Sequence, residues 1–341
     1  PIVADYSNNP IDPFVYSRSQ TSSIINIGSS HPPVVITDFS FFKEIDYNLF
    51  SSIGYHYSSD LDKWEVSDIA SDYIFLGNHD LTFTPPGSLG IIYNYHHWLS
   101  HNQGYPLMSA LEYLEGRHFS KKLNFIYLGF FDLSPQLIEK LKTSTNTVII
   151  IYTDNMNSVI ANRRLFIELI NNNIKRPVII SRQYRKLSKD EFQINSSIEL
   201  GSLILDGLGD GVFVSCKNPA SEYNTNKIAF NILQGTRTRI SKTEYISCPS
   251  CGRTQFNLEE TTQKIRKQTE HLKGLKIGIM GCIVNGPGEM ADADYGYVGT
   301  GYNKVSLYKK QELVKKNIEA KDALKELISL IKENGDWVSR D

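Results

Sequence analysis

The side chains best suited to chemistry are three cysteines in the last third of the chain. Cys248 and Cys251 form a Cys-x-x-Cys turn within the segment Cys-Pro-Ser-Cys-Gly-Arg, and Cys282 directly follows a strand-like apolar run. A Cys-x-x-Cys turn can direct two sulfurs at one metal centre, and a strand–helix unit can bring the third sulfur beside them. The fourth cysteine, Cys216, is interpreted as a small buried hydrophobe.

The number and type of these ligands narrow the choice of metal. Three thiolates with no fourth cysteine and no nearby histidine make an incomplete structural zinc site, which normally closes with four nitrogen or sulfur ligands. Soft thiolates in loops rich in glycine and proline, such as 281–289, suit an iron–sulfur cluster better. The residues alone therefore favour a cluster, with zinc and a redox dithiol as alternatives.

Two other groups of polar residues are candidate sites. His97 and His101 are four residues apart and would share a helix face, but no acid lies between them as in His-Glu-x-x-His, so packing or surface histidines are favoured. The segment 203–214 is interpreted as two short strands joined by a Gly/Asp turn. Asp206 and Asp210 would then either form a carboxylate pair at the mouth of a barrel or simply build the turn.

Alternating strand and helix patterns must position these groups. Continuous apolar runs predict strands covered on both faces at 34–37, 73–76, 124–128, 147–151 and 177–180. Helices are predicted after the Ser134-Pro135 cap and around Leu165 to Ile170. Strands spaced by helices imply parallel crossovers, and hence an α/β layer or barrel, between which the pattern does not decide.

A polar, basic run at 237–247 is taken as a domain joint, and a compact α/β unit follows it. Asn257 is expected to cap a helix with Glu260 reaching back, and Gly274 to end that helix. A strand at 275–280 precedes Cys282. The last helix is predicted from apolar residues at helical spacing before Asn334 and Gly335.

Composition excludes several classes of protein. The 341 residues suffice for two domains, and 40% of them are hydrophobic, enough for a packed core. A formal charge of −1 argues against a general nucleic-acid binder. The longest strongly apolar run, 148–152, is too short to cross a bilayer, and no secretion signal opens the sequence, so we expect neither membrane insertion nor export.

Long strings in 202–337 resemble the C-terminal part of the family of 4-hydroxy-3-methylbut-2-enyl diphosphate synthases (flavodoxin/ferredoxin), enzymes of non-mevalonate isoprenoid biosynthesis. The strings that carry the resemblance are Asp206-Gly-Leu-Gly-Asp-Gly, Asn231-Ile-Leu-Gln, Thr243-Glu-Tyr-Ile-Ser-Cys-Pro-Ser-Cys-Gly-Arg and Gly281-Cys-Ile-Val-Asn-Gly-Pro-Gly-Glu-Met-Ala-Asp-Ala-Asp. The preceding stretch, back to about residue 160, resembles the family more loosely.

The resemblance implies a [4Fe-4S] cluster held by Cys248, Cys251, Cys282 and Glu289. A carboxylate is a harder and more exchangeable ligand than a thiolate, which suits a cluster with one replaceable corner. Asn285 is expected to hydrogen-bond the substrate. The implied reaction is the reductive ring opening of 2-C-methyl-D-erythritol 2,4-cyclodiphosphate, with two electrons entering one at a time and a hydroxyl leaving as water.

The resemblance also implies a three-domain enzyme. Residues 1–240 would be a degenerate TIM-barrel-like insert domain with a structural role. Residues 241–341 would be a small α/β iron–sulfur domain resembling the cluster domain of sulfite and nitrite reductases. The substrate-binding N-terminal barrel would lie outside this chain. Simpler members have Glu where Asp206 stands and Arg where Phe213 stands, so a catalytic role for that region is not expected.

Partners and location follow from the same resemblance. We expect a cyclic diphosphate substrate, flavodoxin or ferredoxin as electron donor, and a bacterial cytoplasmic site, or a plastid if the source is a plant or apicomplexan. Arg253, Arg237, Arg239 and Lys242 could attract the diphosphate or an acidic donor. The alternative function is a non-catalytic zinc or iron–sulfur module for protein interaction or electron transfer.

Overall fold

A computed structural model describes residues 9–12, 14–216 and 224–339. The chain divides into two compact units, Pro1–Arg239 and Ile240–Asp341. Among the described residues, no helix combines the length and the apolar character that a membrane span requires.

Eight parallel strands of the first unit close into a barrel, and two further strands form a hairpin outside it. Within the described residues of this unit the strands are, in chain order, β1 Val34–Asp38, β2 Tyr55–Ser58, β3 Lys63–Val66, β4 Tyr73–Gly77, β5 Gly90–Asn94, β6 Tyr105–Ser109, β7 Asn124–Leu128, β8 Thr147–Ile151, β9 Val178–Tyr184 and β10 Gly211–Cys216. Strand β1 closes the barrel by pairing in parallel with both β10 and β4. The barrel alternative is therefore confirmed, and the hairpin is β2–β3.

The helices on the outside of the barrel are uneven in length. They are α1 Tyr47–Ser51, α2 Tyr95–His101, α3 Ala110–Glu115, α4 Pro135–Thr143, α5 Ser158–Asn171, α6 Lys189–Leu205 and α7 Thr225–Gly235. A loop without a helix connects β4 to β5, and only a five-residue helix and the hairpin stand between β1 and β4. These gaps in the usual helix-after-strand pattern make the barrel TIM-like but degenerate.

Two hydrophobic clusters explain why the strands are continuously apolar. Val34 and Ile36 of β1 belong to a cluster of strand and loop residues inside the barrel, whereas Val35 belongs to the outer cluster shared with the helices. Successive side chains of a strand point to opposite faces. Each barrel strand therefore buries both faces, one in the interior and one under the helices.

The interpretation of 203–214 as two strands was wrong. Residues Leu203 to Leu205 are the last turn of α6, which a capping box between Ser188 and Glu191 starts 15 residues earlier. Only the second half of the segment is a strand, β10. The apolar run at the start of this segment continues the buried face of a long helix. The run taken by itself does not reveal that helix.

Asp206 and Asp210 do not form a carboxylate pair at a barrel mouth. Asp206 caps the C-terminus of α6 and forms an ion pair with Arg163. Asp210 is buried before the first residue of β10, at the amino-terminal end of the barrel, where it pairs with Arg18 at 3.1 Å and accepts the N–H of Val178 at 3.0 Å. Barrel active sites lie at the opposite, carboxyl-terminal end.

The second unit is a five-stranded sheet with helices. Its elements are β11 Glu244–Ser247, α8 Leu258–Thr269, β12 Lys276–Met280, α9 Gly286–Glu289, β13 Tyr295–Gly301, β14 Lys304–Lys309, β15 Glu312–Glu319 and α10 Ala320–Glu333. The order is β11-β12-β13-β14-β15, with the first three strands parallel and the last two antiparallel. The predicted strand at 275–280 and the last helix are confirmed.

The ends of α8 differ partly from expectation. Asn257 caps the helix by accepting the N–H of Glu260 at 3.1 Å, but Glu260 forms an ion pair with Lys264. The helix ends at Thr269, so the prediction that Gly274 terminates it was wrong. The hydroxyl of Thr243 lies within hydrogen-bonding distance of the carbonyls of Thr269 and Leu272 and donates its one proton to either of them, which helps to end the helix without another turn.

Candidate metal centre

Two neighbouring parallel strands bring Cys248 and Cys282 to one edge of the second sheet. Strand β11 ends at Ser247, directly before Cys248, and β12 ends at Met280, two residues before Cys282. Ser247 is in register with Ile279, and the N–H of Cys248 continues the pairing to the carbonyl of Ile279. Because both strands run the same way, their carboxyl ends present these cysteines at a common edge.

The turn that follows Cys248 is held by its own hydrogen bonds. Thr254 accepts the N–H of Cys251 on its hydroxyl at 3.1 Å and donates its own N–H to the carbonyl of Cys251 at 3.0 Å. Ser250 takes the left-handed conformation, with φ of +66°. Cys251 is exposed at the tip, and its sulfur accepts the N–H of Arg253 at 3.4 Å.

Cys248 is the more enclosed of the pair. Its sulfur accepts the N–H of Gly281 at 3.2 Å, a contact between segments 33 residues apart in sequence. It packs against a small cluster that includes Met280 and Met290. Backbone N–H groups aimed at the sulfurs of Cys248 and Cys251 are the kind of contact that stabilises thiolates and tunes a metal cluster.

The short helix α9 carries the two other predicted site residues. Asn285 is its N-cap residue, with no hydrogen bond from its side chain to the helix, and the N–H of Glu289 bonds the Asn285 carbonyl at 3.0 Å. Both side chains are exposed. Gly286 is buried where a Cβ would lie 2.8 Å from the side chain of Met280, so this glycine lets the helix approach β12 closely.

The four predicted ligands do not surround the position of a single ion. Within the described residues, the one set of three or more histidine, cysteine or carboxylate side chains whose ligand atoms all lie within 4.8 Å is Asp80, His97 and His101. The sulfurs of Cys248, Cys251 and Cys282 therefore do not all lie within 4.8 Å of one another. An open groove of about 720 Å³ lies between the Cys-x-x-Cys turn and α8, with Cys248 in its wall.

The basic residues near the joint differ in their environments. Arg239 forms a two-pronged ion pair with Asp72 and donates to the carbonyl of Pro33 at 3.1 Å, so its charge is already matched within the barrel unit. The expectation that Arg239 attracts a diphosphate is therefore not supported by its contacts. Arg253 is exposed beside Cys251. Cys216 is half-buried against the outer barrel cluster.

Two aromatic residues of the second unit pack against each other. Tyr297 of β13 is buried, and the ring of Phe256, which follows the cysteine turn, meets it edge-on at 5.4 Å between centroids. Burial raises the pKa of Tyr297 to about 12, so its phenol stays neutral under ordinary conditions.

Sequence reasoning missed Asp80 as a partner of the two histidines. His97 and His101 do share a face of α2, as their spacing predicts, but the acid comes from the loop after β4. No spacing rule connects Asp80 to a helix that begins 15 residues later. The position of Asp80 just after a buried strand was the one available signal, since such loops gather at the carboxyl end of a barrel.

Fold and site together define an α/β protein in which a parallel barrel is joined to a small sheet domain with three edge cysteines. Residues 244–333 match the family model described as the GcpE protein C-terminal domain. The resemblance to the synthases, drawn from the sequence, is confirmed.

Curated relatives extend the match over nearly the whole chain. A protein of Parabacteroides distasonis named 4-hydroxy-3-methylbut-2-en-1-yl diphosphate synthase (flavodoxin) is 41% identical over 331 residues, covering 96% of this chain and 50% of its own length. The equally named protein of Phocaeicola vulgatus is 38% identical over 95% of this chain and 50% of its own. That of Chlorobaculum tepidum is 52% identical over 178 residues, which are 52% of this chain and 23% of its own. The chain spans about half the length of the first of these relatives.

Proposed function

We propose that this chain is the cluster-bearing part of an oxidoreductase that opens 2-C-methyl-D-erythritol 2,4-cyclodiphosphate reductively to 4-hydroxy-3-methylbut-2-enyl diphosphate. The observation that carries the proposal is the 41% identity over 96% of the chain to a protein named for the synthesis of that product. The edge cysteines of the second unit lie within the matched segment 244–333.

The ligand set fits a 4Fe-4S cluster better than zinc. In a tetrahedral zinc site with bonds of about 2.3 Å, the sulfurs stand about 3.8 Å apart. The sulfurs of Cys248, Cys251 and Cys282 do not all lie within 4.8 Å of one another. A cubane needs wider spacing, because each ligand binds a different iron. The N–H groups of Gly281 and Arg253, at 3.2 and 3.4 Å from two of the sulfurs, are contacts that suit cluster thiolates.

When bound, the cluster would supply two electrons to the substrate one at a time. Cys248, Cys251, Cys282 and Glu289 would hold it, and a 2+ core with three thiolates and one carboxylate carries a net charge of −2, which favours a low potential. Glu289 is exposed on α9, where its carboxylate can leave and return without rearranging the sheet. Asn285, exposed on the same helix, would orient the substrate.

Binding of the substrate's phosphates is proposed to involve a further domain. The first curated relatives are about twice as long as the matched region, which leaves room in them for a separate substrate-binding barrel. The barrel unit of this chain would then be a scaffold. Arg253, exposed next to Cys251, would attract the diphosphate or an acidic electron donor.

The electron donor, the cellular location and the likeness of the second unit to a known cluster domain are also proposals. The relatives' names include flavodoxin, which supports flavodoxin as the donor, with ferredoxin as the alternative. A bacterial cytoplasmic location is proposed from the resemblance alone. The likeness of the second unit to the cluster domain of sulfite and nitrite reductases is proposed from the resemblance.

The test is anaerobic reconstitution of the chain with iron and sulfide, followed by electron paramagnetic resonance with and without the cyclodiphosphate. We expect about four irons and four sulfides per chain and a spectrum that changes when substrate is added. A colourless protein with about one zinc per chain would replace this function with a zinc-stabilised interaction module. We also expect slow turnover with a chemical reductant, and full turnover would refute the need for a further domain.

Two variants separate an enzyme from an electron carrier. Glu289→Cys supplies a fourth thiolate, so the cluster should be retained while substrate turnover and the substrate-dependent spectrum are lost. An electron carrier would keep working. Asn285→Ala, which removes no capping contact, should leave iron content and folding unchanged and weaken the spectral response to substrate.

A further inference from the structure

We propose that Asp80, His97 and His101 form a second metal site, in the barrel unit, for a divalent first-row transition metal. The site is separate from the cysteines, and it does not depend on the proposed isoprenoid reaction. Its ligand set of two histidines and one carboxylate is a recurrent binding set for such ions, with coordination positions left open to water or substrate.

The fold brings the three residues together at the carboxyl-terminal end of the barrel. Asp80 lies three residues after the end of β4, and His97 lies three residues after the end of the adjacent parallel strand β5. The amide of Asn94 donates to the side-chain oxygen of Asn78 at 2.9 Å, which ties the loop that carries Asp80 to the start of α2. This end of the barrel is where barrel enzymes hold their metals and catalytic groups.

The distances match a shared ion. Nε2 of His97 lies 2.9 Å from Oδ1 of Asp80, and Nε2 of His101 lies 3.8 Å from Oδ2. Ligand atoms about 2.1 Å from a metal, at angles between octahedral and tetrahedral, stand about 3.0–3.4 Å apart. The two observed distances lie on either side of that range, so Nε2 of His101 would have to move closer to the carboxylate to share an ion with His97. The two imidazole rings stack at 4.3 Å and present their edges to the same carboxylate.

Hydrogen bonding orients His101 as a ligand. Nδ1 of His101 lies 3.0 Å from the carbonyl oxygen of His97, and because a carbonyl only accepts, Nδ1 carries the proton. In a neutral imidazole Nε2 then has a lone pair, and that lone pair faces the carboxylate of Asp80, which is also an acceptor. Either a proton on Nε2 or a metal cation between the two groups removes this conflict, and the proposed site uses the cation. A backbone carbonyl bonded to the far nitrogen is the usual support of a metal-binding histidine.

The exposure of the three side chains leaves room for further ligands. His97 is 13% exposed and fixed against the ring of Tyr93, whereas Asp80 and His101 are 60% and 45% exposed. An ion there would be anchored on the protein side and open to solvent on the other. Imidazole and carboxylate together suit zinc, nickel, cobalt or iron(II) better than calcium or magnesium, which prefer all-oxygen sites.

The experiment is a calorimetric titration of the tag-free 341-residue chain with Ni²⁺. We expect one equivalent that is lost, or weakened at least tenfold, in each of Asp80→Asn, His97→Ala and His101→Ala. Ions bound by the cysteines remain in all three variants and serve as an internal reference. His96→Ala is the matched control, because His96 is on the same helix but pairs with Glu112 instead.

Hydrogen exchange provides a second measurement. Ni²⁺ should slow exchange in the loop 78–80 and in α2 of the wild type, and should do so in His96→Ala but not in His101→Ala. Circular dichroism without metal must show that the variants remain folded. Unchanged affinity and stoichiometry in all three ligand variants, or an equal loss in His96→Ala, would overturn the proposal and leave a surface Asp–His ion pair.

Discussion

Gly281→Ala tests how tightly the strand end and the cysteine turn are packed. A Cβ at this position would lie 2.8 Å from both Cγ2 and Oγ1 of Thr254. Thr254 holds the turn by accepting the N–H of Cys251, and the N–H of Gly281 itself bonds the sulfur of Cys248. One added methyl group therefore acts on both cysteines of the pair.

The size of the effect follows from the contact. Carbon atoms pack comfortably at about 3.5–4.0 Å, so Thr254 must retreat by about 0.7 Å or more. Overpacking costs about 1–3 kcal/mol. Thr254 is half-buried in a turn with exposed Ser250, which can yield, so we expect the lower part of this range, about 1–2 kcal/mol. That corresponds to a five- to thirtyfold shift in the unfolding equilibrium of the second unit.

Hydrogen exchange of the β12 amides is the assay, because it reports on the second unit separately from the barrel. Exchange should accelerate by about five- to thirtyfold in Gly281→Ala, and iron retention after reconstitution should fall. Gly288→Ala is the matched control, since no atom lies within 4 Å of its Cβ position. Adding Thr254→Ser, which removes Cγ2, should restore part of the loss. Equal exchange rates in the Gly281 and Gly288 variants would refute the packing argument.

Two further predictions concern stability. Arg239→Met leaves the carboxylate of Asp72, which is 16% exposed, without its charge partner, and should cost about 3 kcal/mol in urea unfolding of the barrel, whereas Lys142→Met at an exposed ion pair should cost less than about 0.5 kcal/mol. Because burial raises the pKa of Tyr297 to about 12 from an ordinary value near 10, only the unfolded chain ionises between these pH values, so stability should fall from about pH 10 to 12. Tyr297→Phe should reduce that fall in alkaline unfolding curves, whereas Tyr302→Phe, at an exposed position, should not. An unchanged pH dependence of stability in Tyr297→Phe would contradict the argument from burial. A loss of stability in Lys142→Met as large as that in Arg239→Met would contradict the argument from the buried ion pair.

Several elements were predictable because their determinants are local. The hydroxyl of Ser134 caps α4 at the N–H of Leu137, as the Ser-Pro pair indicates, and the strands at 34–37 and 147–151 lie where continuous apolar runs predict them. Strands β5 and β6 were missed. Strand β5 begins at a glycine and β6 contains Pro106, and both residue types weaken a strand pattern. Pairing with neighbours on both sides stabilises them nonetheless.

Residue types and short spacings indicated which side chains could bind a metal, since a Cys-x-x-Cys turn and an i, i+4 histidine pair are properties of a few consecutive residues. Barrel closure depended on β1 pairing with both β4 and β10, and the N–H of Gly281 reaches the sulfur of Cys248 only because β11 and β12 pair in parallel. The meeting of Asp80 with the two histidines likewise required adjacent barrel strands. Contacts between distant segments follow from the order and register of the strands. No local sequence pattern encodes that order or that register.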